Sequence, residues 1–295
     1  MLPPVHIEGT RLITSEGHVF KAVGLSEFAL FKRWLMPNGP WALVEPILSE
    51  RKALAVEAGY AGPLVARVFR YAQPSNAFGI PPWSYPMSAV TDFTNFLGAR
   101  GWYVDWTAGD SQVVLPNPDG PSGQQQHLNE FCAALVTCQN ALIVQTQNEP
   151  FKNGVDVSRV VPPKWGTYMI NSGMYYEGTW NHATDLELLN FHPDRSDDEN
   201  HTVPKFVGKI FESAVYLQRH GKPFIYDEPI GADEVNIPGR RCNRPDYWAQ
   251  MGLGIGLTNG MYFHSTPGLS SDGFGPIVKE CWKGFCRGVA AGLSI

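Results

Sequence analysis

Hydrophobic and polar positions along this chain change period in a repeating way. Short continuous apolar runs alternate with longer stretches in which apolar residues recur every three to four positions. The first pattern marks strands covered on both faces, the second helices with one buried face. A hairpin opens the chain, with its turn at Ser15-Glu16-Gly17, and the run Val19 to Leu25 reads as a buried strand. Helix and strand then alternate: "WALVEPILSERKALAVEAG" (helix, stopped at Gly59), "LVARVFRY" (strand), "VTDFTNFLGARG" (helix), "WYVDW" (strand), "GQQQHLNEFCAALVTCQN" (helix) and "ALIVQTQ" (strand). The alternation resumes with "PKFVGKIFESAVYLQRHG" (helix), "PFIYDE" (strand), "RPDYWAQMGLGIGLTNG" (helix), "MYFHS" (strand) and a closing helix, "PIVKECWKGFCRGVAAGL". Between Lys152 and Asn190 only two strands are evident, in "GTYMINSGMYY" and "LELLNFH".

Up to eight strands, most followed by a helix, predict a parallel sheet with right-handed crossovers. An open doubly wound sheet and a closed (β/α)8 barrel both satisfy that pattern. No Gly-x-Gly-x-x-Gly turn follows the first strand and no Gly-x-x-x-x-Gly-Lys-Ser/Thr occurs, which weakens the nucleotide-binding sheet. Eight units favour an α/β fold of the TIM-barrel type. The 295 residues suit one such barrel, which needs about 250, and no linker or charge run divides residues 1–295.

Composition narrows the class. Hydrophobic residues make up 43% and charged residues 17%, as in a globular chain with a sizeable core. A net charge of -5 without a Lys/Arg run excludes a nucleic-acid or anionic-membrane partner. No apolar run reaches the ~18 residues of a membrane helix. The start, "MLPPVHIEGT", has no basic or apolar leader region, so the chain is expected in the cytoplasm, or outside the cell if a leader has been removed. The five cysteines are odd in number and lack Cys-x-x-Cys spacing, the pattern of buried thiols rather than a zinc site. A monomer is expected. Nine tryptophans and eleven tyrosines supply core and also flat faces on which sugar rings stack.

In a barrel the chemistry gathers where strands end at their carboxyl side. There the sequence offers Arg67 and Arg70, Asp105, Asn148 and Glu149, His192, Asp227 and Glu228, and His264. Glu149 ends the fourth strand and Glu228 the seventh, three βα units of ~26 residues later. Strands four and seven face each other across such a barrel, so the two carboxylates would flank a substrate lying over its mouth. Glycoside cleavage needs that pair, one carboxylic acid to protonate the leaving oxygen and one carboxylate to attack C1 or activate water. A proline follows each glutamate and holds it in extended backbone. Alternation points only one of Asp227 and Glu228 into the barrel, and likewise only one of Arg67 and Arg70.

"QTQNEP" and "FIYDEP" resemble the ends of strands four and seven in the (β/α)8 glycoside hydrolases of the cellulase and β-mannanase clan. "IEGTRLITSEGHVFKAVGLS" resembles that family's entrance, in which a small N-terminal β-hairpin closes the barrel floor. "VARVF" supplies the usual strand-two arginine as Arg67, and "LNFHP" a strand-six histidine as His192. The resemblance implies a retaining mechanism with Glu149 as acid/base and Glu228 as nucleophile. Arg67 would hold the nucleophile ionised, Asn148 would bind the sugar 2-hydroxyl, and His192 would orient a carboxylate. Two features depart from the family: Pro193 and Asp194 stand where a tyrosine is usual, and Phe263 and His264 end strand eight where a tryptophan is usual.

The reading that follows is a retaining, endo-acting hydrolase of a β-1,4-linked polysaccharide such as mannan, glucan or xylan. It needs no metal or organic cofactor, and its partner is the polysaccharide or an oligosaccharide. Trp106 and Trp180, with Phe263 and His264, are expected among the sugar-binding residues, and Trp34, Trp41, Trp83 and Trp165 near the subsites. Trp102 and Trp282 are expected to be packing. The alternative is a barrel that binds sugar or serves a structural role without cutting. A metal-dependent hydrolase built on Asp105, His182, His192 and His264 is weaker, since no His-x-His ends strand one and no His-Glu-x-x-His occurs.

Overall fold

The structure, a computed structural model, describes residues 2–35, 40–70, 85–108, 121–146, 161–171, 174–175, 187–191, 221–228, 231–234, 241–265 and 274–295. Nine parallel segments make one sheet: β4 (Ala22–Ser26), β5 (Leu64–Phe69), β6 (Trp102–Thr107), β7 (Ala141–Gln145), β8 (Met169–Asn171), β9 (Met174–Tyr175), β10 (Leu189–Phe191), β11 (Phe224–Tyr226) and β12 (Gly260–Phe263). Their order is β8-β7-β6-β5-β4-β12-β11-β10-β9. The two edge segments, β8 and β9, are consecutive in the chain, and Asn171 and Met174 can lie no more than ~11 Å apart. The edges therefore belong to one run of chain, and the sheet curls into a nearly closed eight-stranded barrel, the TIM-barrel architecture expected from the sequence.

The N-terminal hairpin is larger than expected. It is a three-stranded antiparallel sheet of β1 (Val5–Glu8), β2 (Arg11–Thr14) and β3 (Val19–Phe20). Its turns pass through Gly9 and Gly17, at φ 61° and 84°, where a side chain would be strained. The run from Val19 to Leu25 is consequently two strands. β3 pairs with β2, the ladder breaks at Lys21, and β4 enters the barrel. The Lys21 ammonium donates to the Thr258 carbonyl under the barrel. Val5, Leu12 and Phe20 pack against Val65, Tyr103, Leu142 and Ile225 in one apolar cluster, and the Tyr103 hydroxyl donates to the Pro3 carbonyl at 2.5 Å. This sheet is the floor of the barrel.

Among the described residues the α-helices are α1 (Leu30–Trp34), α2 (Pro40–Glu57), α3 (Ser88–Gly98), α4 (Pro121–Ala134), α5 (Pro245–Leu253) and α6 (Pro276–Gly292). Their apolar faces and the outward-facing strand residues form a second, larger cluster outside the barrel. The α-helical part of "RPDYWAQMGLGIGLTNG" ends at Leu253 and tightens into a 3-10 turn over Gly254–Leu257, where glycines lower helix propensity. The Glu234 carboxylate caps α6, accepting from the amides of Ile277 and Val278 at 3.2 and 3.0 Å. The helix expected over 204–221 lies outside the described residues. The five cysteines are buried free thiols. Among the described residues no helix is long and apolar enough to cross a membrane.

Candidate active site

Above the apolar floor the barrel interior turns polar. Arg67 (β5), Asp105 (β6), Gln145 (β7), Asn171 (β8), Asn190 (β10), Asp227 after β11 and Tyr262 (β12) are all buried. They bond to one another, some between neighbouring strands and some across the barrel. The Tyr262 hydroxyl donates to Asp105 Oδ2 at 3.1 Å. Gln145 Nε2 donates to both Asp105 oxygens at 2.9 and 3.0 Å, with a weaker contact to Asp227 Oδ2 at 3.4 Å. Asn190 Nδ2 donates to Asp227 Oδ2 at 2.7 Å, and Asn171 Nδ2 to Asn190 Oδ1 at 2.6 Å. The Tyr262–Asp105 and Gln145–Asp227 contacts join strands that are not neighbours and are made only through the barrel's interior, which places these side chains on its axis side.

Arg67 is the cation of this layer. Its Nη1 donates to Glu228 Oε2 at 2.7 Å, its Nε lies 3.4 Å from Asp227 Oδ2, and its Nη2 lies 3.4 Å from Gln145 Oε1. The guanidinium carbon sits 5.1 and 5.5 Å from the ring centres of Phe28 and Phe69, which stack on each other at 4.2 Å. Burial alone would weaken the charged form of Arg67. The charges of Asp227, Glu228 and Asp105 and the bond to Glu228 outweigh it and hold the guanidinium more firmly protonated than usual. Arg67 has no exposed surface, whereas Glu228 keeps 5%, so Glu228 is the member at the mouth.

Burial also raises the Asp105 carboxyl, as does the nearby Asp227 charge. Arg67, Gln145 and Tyr262 pull the other way, and the result is a pKa of about 7. The Tyr262 phenol is pushed well above its ordinary value by burial and by the Asp105 and Asp227 charges.

Arg67, and not Arg70, faces Glu228. Arg70 follows the last residue of β5, and its side chain turns to the Tyr85 hydroxyl at 3.0 Å and over the Phe131 ring. The alternation expected of Asp227 and Glu228 does not hold. β11 ends at Tyr226, so the pleat no longer governs the next two residues, and both carboxylates reach Arg67. His264 is buried at the end of β12, its ring 5.7 Å from that of Phe28.

Two expected sugar contacts are corrected. Trp106 is a strand residue, not a loop residue. It points outward among Phe31, Phe93 and Phe131, and its Nε1 donates to Thr94 Oγ1 at 3.1 Å. Phe263 likewise points outward, 4.4 Å from Trp248 and 5.5 Å from Trp282. Both have the parity of the outer face. Trp34 is buried against Phe93 and Phe96, while Trp165 is half exposed. Asn148, Glu149, His192 and Trp180, with Trp83 and His182, lie outside the described residues, as does the side chain of Trp41. Among the described residues no three His, Cys, Asp or Glu side chains gather as a metal site.

The sequence reading missed Gln145, Tyr262, Asn190, Asn171, Phe28 and Phe69. Parity carried a signal for some of them. Tyr262 shares the face of His264, Phe69 that of Arg67, and Gln145 is an amide in an otherwise apolar strand. Phe28 follows β4 in a loop and carries no such mark.

No family model matches the sequence, and no curated protein matches it. Solved structures do. A glycoside hydrolase family 5 mannosidase from Rhizomucor miehei superposes with a TM-score of 0.65 over 97% of this chain and 98% of its own, at 10% identity. The chain shares the (β/α)8 barrel fold of that structure. A β-1,4-mannanase from the sea hare Aplysia kurodai matches over 97% of this chain and 96% of its own, with a TM-score of 0.55 and 11% identity. A β-mannanase from Streptomyces thermolilacinus, solved with mannohexaose, matches over 99% and 94%, with a TM-score of 0.56 and 13% identity. At such identities the likeness is one of fold.

Proposed function

We propose that this protein is a retaining glycoside hydrolase acting internally on a β-1,4-linked polysaccharide. The observation that carries the reading is the pairing of Glu228 with Arg67 at 2.7 Å, at the carboxyl end of the seventh barrel strand. A carboxylate there has a buried cation beneath it and solvent above it, the situation a nucleophile needs in order to stay ionised and reach a sugar.

In the first step the Glu149 carboxylic acid protonates the glycosidic oxygen while Glu228 attacks C1 from the opposite face. The C1–O bond to the leaving sugar breaks, that sugar departs as an alcohol, and C1 is joined to Glu228 as an ester. In the second step Glu149, now a carboxylate, takes a proton from water. The water oxygen attacks C1 and Glu228 leaves as a carboxylate, so that two inversions give retention. Asn148 would bind the 2-hydroxyl, a contact that strengthens as C1 gains positive charge. Arg67 stabilises Glu228 as the departing carboxylate, and the rings of Phe28 and Phe69, with His264 beside Phe28, flank the Arg67 guanidinium. Mannan is the first substrate to test, because the structural neighbours named above are a mannosidase and mannanases. Glucan and xylan follow.

The test is of roles. Glu149→Ala should slow natural glycosides far more than aryl glycosides with activated leaving groups, because only the former need the proton in the first step. Glu228→Gln should stop both. The first product, seen by NMR before mutarotation, should carry the β configuration. An α product, or equal losses with both substrate types in Glu149→Ala, would refute the assignment.

A further inference from the structure

Arg67 and Asp105 are register partners on adjacent parallel strands, about 4.8 Å apart along the sheet. One guanidinium therefore stands among three carboxylates: Asp105 beside it, with Asp227 and Glu228 across the barrel at 3.4 and 2.7 Å. Gln145 joins two of them, with its Nε2 on Asp105 and its Oε1 toward Arg67 Nη2. Among the described residues, the titratable groups acting on Asp105 are Arg67 from β5, Asp227 from the chain after β11, and Tyr262 from β12, and Glu228 is reached through Arg67. Nothing in the retaining mechanism uses Asp105, yet it is fully buried in the layer that holds Glu228.

We propose that Asp105 is a positioning residue that sets, through Gln145 and Arg67, how firmly Glu228 is held as a carboxylate, the hold being tighter when Asp105 is neutral. Neutral Asp105 leaves the Arg67 charge to Asp227 and Glu228 alone. Ionised Asp105 draws on the same charge and adds a third negative group to a low-dielectric interior, where charges act strongly on one another. Glu228 is then a less stable anion and Arg67 a more divided donor. The consequence for catalysis rests on Glu228 being the nucleophile. The coupling itself does not.

Carboxyl-carbon NMR reads the coupling without a substrate. Protein labelled with 13C at the Asp and Glu side-chain carboxyls is titrated between pH 4 and pH 9, with the Glu228 signal assigned by its loss in Glu228→Gln. The Glu228 signal should show a step near pH 7, where Asp105 ionises, apart from its own titration. Asp105→Asn should abolish that step. Tyr262→Phe removes a hydrogen bond that favours ionised Asp105, and should move the step to higher pH. A step that persists in Asp105→Asn, or no step in the wild type, overturns the proposal. If Asp105→Asn does not fold, a step unmoved by Tyr262→Phe overturns it instead. A coupled step in a protein that cleaves no glycan would uphold the coupling and sink the glycosidase reading. A glycosidase without the step would do the reverse.

Discussion

Replacing Gly288 by alanine should destabilise the fold without touching the site. α5 and α6 pack backbone to backbone: a Cβ on Gly288 would lie 1.9 Å from the Ala249 carbonyl oxygen and 2.7 Å from its carbon. Ordinary contact needs about 3.4 Å, so the helices must part by about 1.5 Å in an interior packed like a crystal. Local relief is blocked, because the backbones are as close along the rest of the seam: a Cβ on Gly284 would lie 2.2 Å from the Pro245 oxygen, and one on Gly252 2.3 Å from the Phe285 oxygen. Parting the helices also loosens Trp248, Trp282 and Phe285, which pack on Phe263. A gap of about 1 Å forfeits a quarter to a half of each dispersion contact. Overpacking costs about 1–3 kcal/mol, and alanine returns about 0.5–1 kcal/mol of helix propensity, so a net loss of about 1 kcal/mol is expected. Urea unfolding followed by tryptophan fluorescence measures it, with exposed Arg287→Ala as a control that should stay within about 0.5 kcal/mol of wild type. Gly288→Ala as stable as wild type would refute the close-packing argument.

Arg67→Met should cost about 3–5 kcal/mol of stability, because Asp227 and Glu228 lose their buried cation, and activity should be lost with it. Both effects are read by urea unfolding and reducing-sugar release. Asp105 gives a pH dependence of known sign. Its folded pKa of about 7 lies above the ~3.9 of an unfolded chain, so the folded state binds the extra proton between those values. Stability should therefore fall as pH rises from about 4 to 7, by up to about 4 kcal/mol, and level off above. Asp105→Asn should flatten that slope in a series of unfolding curves. Trp106→Phe should lower stability by about 1–2 kcal/mol through the lost bond to Thr94 and lost volume, with KM unchanged, whereas a subsite tryptophan would raise KM.

Much of the barrel was legible because its strands are apolar runs cut off by polar residues and its helices end at glycines such as Gly59 and Gly101. Parity allowed only one of Arg67 and Arg70 inside, and the resemblance, not parity, chose Arg67. Parity failed at Asp227 and Glu228, where β11 is too short for alternation to extend past Tyr226. It was not applied to Trp106 and Phe263, whose outward phase was readable from Arg67 and His264. The interior polar layer was illegible for a different reason. Gln145, Asn190 and Tyr262 come from strands far apart in sequence, and only the folded barrel brings Tyr262 to Asp105 and Gln145 to Asp227. The split at Lys21 had no local signal either, since Val19 to Leu25 is apolar on both sides of it.

The most direct test of the central claim is release of reducing ends from β-mannan, β-glucan and xylan by the wild-type protein and by Glu228→Gln. The account predicts release from at least one of these polymers by the wild type and none by the variant. Release that survives in Glu228→Gln, or a wild type that binds these polymers and cuts none of them, would contradict it.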